Sequence, residues 1–282
     1  MEVERAPRPR DEVATGVETE SVPEWLRPRS ANVTRPGHGQ VARRRTARGR
    51  LRAVQTIGLI GGMSWESSAA YYELLNTGVE KRVGDLSSAK TIMSSVDFAE
   101  VTRLQEAEDW DGVARILVEA AQGVERAGAD FLLLCTTTFH RVFDQVEAAV
   151  GIPVLHLADV VAEACKAAGL SQVGFLGTTF AMERSFFTDR LSSHGLTVHV
   201  PPADHHDTVN TIIYDELVHG RVVTKSRRTV VSLIDDLWDA GAGGVILGCT
   251  ELELLVRQAD ADIPVFPCTS LHVEAALDRA LG

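Results

Sequence analysis

Cysteine is scarce in this chain, four in 282 residues, and no two of the four stand in a C-x-x-C spacing. Neither a zinc site nor a disulfide framework follows from such a pattern, and a reducing cytoplasm is the expected compartment. No run of 18 apolar residues occurs, so no membrane-spanning helix is expected, and no apolar h-region supports secretion. The order G-x-G-x-x-G is missing too. In Gly58-Leu59-Ile60-Gly61-Gly62 the first glycine lies inside a strand and only the last two occupy a turn. That turn suits a backbone approaching a small carboxylate at a helix N-terminus better than it suits a dinucleotide.

Sustained periodicity is absent from residues 1–53, which hold 12 Arg, no Lys and 7 acidic residues and so carry +5. The remainder holds 16 basic and 32 acidic residues and carries −16. A segment rich in Arg, Pro and Gly with no apolar face is expected to be disordered, an N-terminal extension outside the fold. Arg43-Arg44-Arg45 is compatible with an arm that touches nucleic acid or with a targeting peptide. Against a mitochondrial-type presequence stand Glu2, Glu4, Asp11 and Glu12. The plainer expectation is a functionless tail, or upstream sequence translated from a wrongly chosen start, with Val54 opening the fold.

What is present is a hydrophobic content of 45% at a mean hydropathy of +0.01, enough for one or two globular domains with a substantial core. From Thr56 onward, strands alternate with helices, the pattern of a parallel α/β sheet. Strands are predicted at 55–60, 91–96, 152–155, 172–177, 196–200 and 263–266, and helices from Ser64 to about Arg82, over 158–168, from about Met182, near 207–219, over 225–240 and over 271–281. Val113, Ile116, Leu117, Ala120 and Val124 share one face of a further helix.

Two apolar runs end in the same dipeptide: Phe131-Leu132-Leu133-Leu134-Cys135-Thr136 and Val245-Ile246-Leu247-Gly248-Cys249-Thr250. Each reads as a buried parallel strand followed by a helix. After Cys135 the spacing of Phe139, Val142, Phe143 and Val146 is helical, with Thr137 or Thr138 free to cap; after Cys249, Thr250 and Glu253 have capping-box spacing. Each thiol is thus expected at a helix N-terminus, a position that lowers a thiol's pKa from about 8.5 toward roughly 3.5–7.5.

The echo extends further. Ile57-Gly58-Leu59-Ile60-Gly61-Gly62 is matched by Val173-Gly174-Phe175-Leu176-Gly177-Thr178, and Ile152-Pro153-Val154 by Ile263-Pro264-Val265. Gly58 precedes Cys135 by 77 residues and Gly174 precedes Cys249 by 75. The expected architecture is two homologous α/β lobes with parallel sheets related by a pseudo-twofold, the active site lying in the cleft between them. The first lobe spans 54–153, with 267–282 returning to it, and the second spans 154–266.

Two activated thiols and no cofactor motif suit proton transfer at a carbon acid: one sulfur removes the Cα proton and the other returns one from the opposite face. Cys165 reads as a small core residue, and Cys268 either lines the cleft or packs. His205-His206-Asp207, beside Pro201-Pro202, reads as a solvated loop rather than a metal cluster.

The set Gly61-Gly62-Met63-Ser64-Trp65-Glu66-Ser67, Ser95-Val96-Asp97-Phe98, Cys135-Thr136-Thr137-Thr138-Phe139-His140 and Gly248-Cys249-Thr250-Glu251 resembles the cofactor-independent aspartate/glutamate racemase family, broad-specificity branch included, over residues 55–282. The resemblance implies a two-base amino-acid racemase that uses neither PLP nor metal. Cys135 would take the proton from the D-enantiomer and Cys249 from the L-enantiomer. It also implies that Met63, Gln105, Thr136, Thr137, Thr138, Thr178 and Thr250 lie near the bound amino acid, mostly holding its α-carboxylate.

The chain departs from the family's usual Cys-Thr-Asn-Thr-Met-His by Thr137 and Phe139. Where some relatives carry a Lys, the stretch 214–220 has none, leaving His219 or Arg221 to substitute. An isomerase or decarboxylase of small dicarboxylates, and a protein that binds an amino acid without turning it over, are the alternative readings. The expected partner is a small-molecule amino acid, with a homodimer as the assembly and neither nucleic acid nor membrane for the folded part.

Overall fold

The computed structural model describes residues 54–84 and 86–282, so the expectations for the Arg-rich leader concern residues outside the described ones. The first half runs β1 (Ile57–Gly61), α1 (Trp65–Val83), β2 (Thr91–Ser95), α2 (Phe98–Glu106), α3 (Trp110–Arg126) and β3 (Phe131–Leu134). A 3-10 turn (Thr138–Val142) then leads into α4 (Phe143–Ala148), β4 (Val154–Leu155) and α5 (Leu157–Ala167). The second half runs β5 (Gln172–Leu176), α6 (Thr179–Glu183), α7 (Phe186–Ser193), β6 (Thr197–His199) and α8 (His206–Thr211), which continues through a π-helical turn (Ile212–Glu216). It closes with α9 (Thr224–Asp239), β7 (Val245–Leu247), α10 (Leu252–Leu255), β8 (Val265–Pro267) and α11 (Cys268–Leu281).

All strand pairs are parallel, and the two four-stranded sheets have the same order, β2-β1-β3-β4 and β6-β5-β7-β8. The repeated motifs therefore occupy repeated places: β1 and β5 are the second strands of their sheets, and β3 and β7, which carry the Cys-Thr pairs at their ends, are the third. The apolar runs are buried throughout, as parallel strands covered on both faces must be.

Each half lends its last helix to the other. Leu157, Ala158, Val161, Ala162 and Cys165 of α5 belong to the core around the second sheet, with Val173, Phe175 and Val245. Val273, Ala276, Leu277 and Ala280 of α11 close the first sheet against Ile57, Leu59, Phe131 and Leu133. Gln55 N–H donates to the Ala280 carbonyl at 3.1 Å, tying the end of α11 to the start of the fold.

The sequence-level element boundaries differ from the structure by a few residues in most cases, with four substantive departures. The helix α2 was not anticipated; Asp97 caps it by accepting from Ala99 N–H at 3.0 Å. The segment 207–219 is not one helix but α8, a π-turn and a 3-10 turn. Thr250 and Glu253 form no capping box, because Glu253 instead accepts from the backbone N–H of Thr269 at 2.5 Å and from the Ser270 hydroxyl at 3.0 Å. Neither Thr137 nor Thr138 caps the turn after Cys135.

The triplet His205-His206-Asp207 also departs in part from a solvated loop. His206 is buried at the start of α8, with Nε2 at 2.8 Å from the Pro201 carbonyl and Nδ1 at 3.3 Å from Glu183. Asp207 is exposed, and among the described residues no cluster of three or more His, Cys, Asp or Glu is placed to hold a metal ion. Cys165 is a core residue, and Cys268 packs at the start of α11.

Candidate active site

The turn after β1 shapes one wall of the site. Gly62 adopts φ +92°, and a Cβ there would meet the Val96 carbonyl oxygen at 2.2 Å, so the close approach of the two strand ends requires glycine. Its N–H donates to Ser68 Oγ at 2.7 Å. Ser64 caps α1 by accepting from Ser67 N–H at 3.2 Å, which turns both hydroxyls toward the end of β7 in the other half.

There they meet Glu251. The carboxylate is buried and lies within hydrogen-bond reach of four donors: Ser64 Oγ at 3.0 Å, Ser67 Oγ at 2.9 Å, Thr250 Oγ1 at 2.5 Å and Cys249 Sγ at 2.8 Å. On the opposite side, Thr138 Oγ1 stands 3.4 Å from Thr178 Oγ1, and Thr178 caps α6 through Ala181 N–H at 3.2 Å. These two clusters bound a cavity into which both halves contribute.

Of the nine residues singled out from the sequence, eight line this cavity: Cys249, Met63, Gln105, Thr136, Thr137, Thr138, Thr178 and Thr250. The structure does not bring Cys135 to it. Cys135 is 0% exposed and packs with Tyr71, Phe131 and Leu133 beneath α1 and α11, whereas Cys249 is 7% exposed.

The reason lies in strand register. Gly58 pairs with Leu132, three residues before Cys135, while its counterpart Gly174 pairs with Val245, four residues before Cys249. Accordingly Cys135 N–H donates to the Ile60 carbonyl at 2.9 Å, but in the second sheet it is Gly248 N–H that donates to Leu176, at 2.6 Å. In register, Cys249 corresponds to Thr136, and Cys135 to Gly248.

Neither thiol is lowered in pKa as the helix-N-terminus expectation required. Burial pushes Cys135 upward. Cys249 is raised first by burial, then by the negative charge of Glu251 and the hydrogen bond to it. A 3-10 turn after Cys135 and the short α10 after Cys249 supply little of the dipole that a long helix would. Tyr214, on the π-turn, also lines the cavity, and its hydroxyl is raised to about 12 by burial together with Cys249 and Glu251.

Ser64, Ser67, Tyr214 and Glu251 were not assigned to the site from sequence. Two signals for them were present: both serines lie in the Gly-Gly-Met-Ser-Trp-Glu-Ser stretch, and Glu251 ends Gly-Cys-Thr-Glu. Tyr214 carries no such signal, since it is placed by an irregular helix. His219 and Arg221 do not line the cavity, and the Arg221 guanidinium instead donates to the Asp215 carbonyl.

Known proteins share this fold and family. A solved chain of Yersinia pestis, provisionally described as an Asp/Glu racemase, is 44% identical, with a TM-score of 0.76 over 81% of this chain and 100% of that one. An aspartate racemase homologue from Pyrococcus horikoshii is 34% identical, with a TM-score of 0.73 over 80% of this chain and 99% of that one. The broad specificity amino-acid racemase RacX of Bacillus subtilis is 22% identical over 62% of this chain and 75% of its own length. Residues 60–276 match the family described as Asp/Glu/hydantoin racemase, and the chain belongs to that family.

Proposed function

We propose that the chain is an amino-acid racemase that interconverts L- and D-enantiomers by proton transfer at Cα, with Cys249 and Cys135 as the two bases and no cofactor. Family membership supports racemisation, and one observation carries the assignment of the chemistry: a thiol in the cavity wall, Cys249, stands 2.8 Å from a buried carboxylate that can receive its proton. The proton passes from Sγ to Glu251 and the thiolate then takes the Cα proton. The carbanion then accepts a proton on the other face from the Cys135 thiol, a step that requires the end of β3 to open and bring that buried side chain to the cavity, so one proton enters and one leaves.

A bound amino acid changes the electrostatics of the site. Its ammonium brings a positive charge next to Cys249 and Glu251, which favours the thiolate that burial and the charge of Glu251 disfavour. Its carboxylate meets the hydroxyls of Thr137, Thr138 and Thr178. Among the described residues, the N–H groups of Thr136 and Thr137 have no backbone partner and are free to donate to that carboxylate.

A panel of L- and D-amino acids incubated with the protein in D₂O, read by NMR and chiral chromatography, tests this. Deuterium at Cα of the antipode is the expected result, abolished by Cys249→Ser and by Cys135→Ser. Racemisation that persists in either variant at more than about a hundredth of wild type rejects the two-base scheme, given what a general acid–base group usually contributes.

The complete burial of Cys135 favours a second reading, in which Cys249 alone exchanges protons with substrate, on one face. Such a site suits decarboxylation or isomerisation of a small dicarboxylate. Release of CO₂, or exchange with no antipode formed, would select it.

A further inference from the structure

From the charge in the cavity wall, we infer that the side chain of the preferred substrate is neutral and apolar rather than acidic or basic, an inference that rests on the racemase reading above. Among the described residues that line the cavity there is no Lys, Arg or His, and the single charged group is Glu251. An α-amino acid brings one carboxylate and one ammonium to the hydroxyl-rich side of the cavity. A second carboxylate, on the side chain, finds no cation to pair with and faces the field of Glu251; burying an ion without a partner costs several kcal/mol.

A cationic side chain fares no better. Glu251 is the only anion in the wall, and its oxygens are already within reach of Ser64, Ser67, Thr250 and Cys249. No acceptor of full charge is left for an ammonium beyond the one on Cα.

The remainder of the wall has a positive preference. Phe98, Phe139, Ile213 and Val218 line it with hydrocarbon, drawn from both halves of the chain. Phe139 and Ile213 are buried, while Val218 is half-buried beside the π-turn. A side chain such as that of methionine or leucine gains from leaving water against these groups, about fourfold in affinity per methylene.

The test uses the full chain with L-methionine, L-leucine, L-aspartate, L-glutamate and L-lysine as probes, in two readouts. In Cα exchange with D₂O, methionine and leucine should exceed the three charged amino acids in kcat/KM by about tenfold or more, the least that an unpaired buried charge would cost. Equal or greater turnover of aspartate, glutamate or lysine overturns the inference. In thermal shift and calorimetry, methionine and leucine should bind saturably and the charged probes at least tenfold more weakly.

The binding readout separates the two claims. Binding of methionine or leucine with no Cα exchange for any probe refutes the racemase reading and leaves the assignment of the wall standing. No binding of either neutral probe, or tighter binding of a charged one, refutes the wall. Val218→Lys should then raise the affinity for aspartate and glutamate about tenfold and lower that for methionine. A variant that folds, by its circular dichroism, and shows no such shift also overturns the assignment.

Discussion

The thiol of Cys249 donates to Oε2 of Glu251 across 2.8 Å, and this carboxylate holds together groups from both halves of the chain. After burial, its charge is a cause of the upward shift of the thiol. Replacing it with an amide of the same shape separates charge from geometry. In Glu251→Gln the pH profile of Cys249 alkylation should move to lower pH, as expected when a neighbouring negative charge is removed. Cα exchange should nonetheless fall by at least about tenfold, because the proton acceptor is gone. An unchanged alkylation profile would show that burial alone sets the thiol.

Thiol reactivity should divide the four cysteines unequally. All four are free, yet Cys135 and Cys165 are wholly buried and Cys268 nearly so, leaving Cys249 as the one that faces the cavity. Iodoacetamide under native conditions should label Cys249 first, with the other three reacting only after unfolding. Peptide mass spectrometry over a time course reads the order directly. Early labelling of Cys135 would mean that its strand end opens readily in solution.

Acid should unfold this protein through histidine. His140, His156 and His272 cluster with ring centroids 4.8 Å apart for the first two and 6.2 Å for His140 and His272. Burial lowers all three: His156 to about 4, His272 to about 3, and His140 well below its ordinary range. Between pH 6.5 and about 4 the unfolded chain therefore binds protons that the folded one refuses, and stability is lost as pH falls. Glu253 acts in the opposite sense, since burial raises it to about 7 and the folded chain keeps its proton where the unfolded one does not.

Three protons against one leave a net of about two near pH 5, or about 3 kcal/mol of stability per pH unit. Urea unfolding from pH 7 to pH 4.5 measures the slope. A flat profile would show that the histidines are solvated in solution.

Tyr71 should matter through the partner it satisfies. Its hydroxyl donates to His272 Nδ1 at 2.9 Å, while His272 Nε2 donates to the Leu155 carbonyl at 3.1 Å. Tyr71→Phe leaves a buried ring nitrogen without a donor and should cost about 1–3 kcal/mol. Denaturant midpoints at pH 7 read the loss.

The backbone at the site should tolerate little. Gly62→Ala places a Cβ 2.2 Å from the Val96 carbonyl oxygen, at a positive φ. Loss of soluble expression, or destabilisation of more than about 2 kcal/mol, is expected. Gly128→Ala is the control, also at positive φ but with nothing within 4 Å of the added atom, and should cost about 1 kcal/mol.

How far the sequence carries depends on the length scale of the signal. The runs Phe131–Leu134 and Val245–Leu247 declare buried parallel strands because they are uninterrupted, and the echo of Gly58 by Gly174 declares the repeated sheet. Seven of the eight residues brought to one cavity follow the ends of β1, β3, β5 and β7, while Gln105 stands on α2; all but Cys249 are implied by the family resemblance rather than by the strand pattern. A register offset of one residue leaves no trace in composition, so Cys135 and Cys249 look equivalent in sequence although Cys135 pairs as Gly248 does. Glu251 reads as a helix residue after Cys-Thr, and only Ser64 and Ser67, more than 180 positions away, reveal it as the centre of a hydrogen-bonded cluster. The π-turn that presents Tyr214 has no periodicity from which to be read.

The exchange of α5 and α11 between sheets has a consequence for the order in which the chain is made. The underside of β1 and β3 is covered by α1 and by the final helix, Cys268–Leu281. During synthesis the first sheet therefore emerges long before its cover, with Ile57, Leu59 and Phe131 lacking that partner until residues 268–281 have been made. The carboxyl-terminal sheet has no such delay, because α5 precedes it. The earlier sheet is completed after the later one, and premature termination anywhere before residue 268 leaves an apolar sheet face exposed to neighbouring chains.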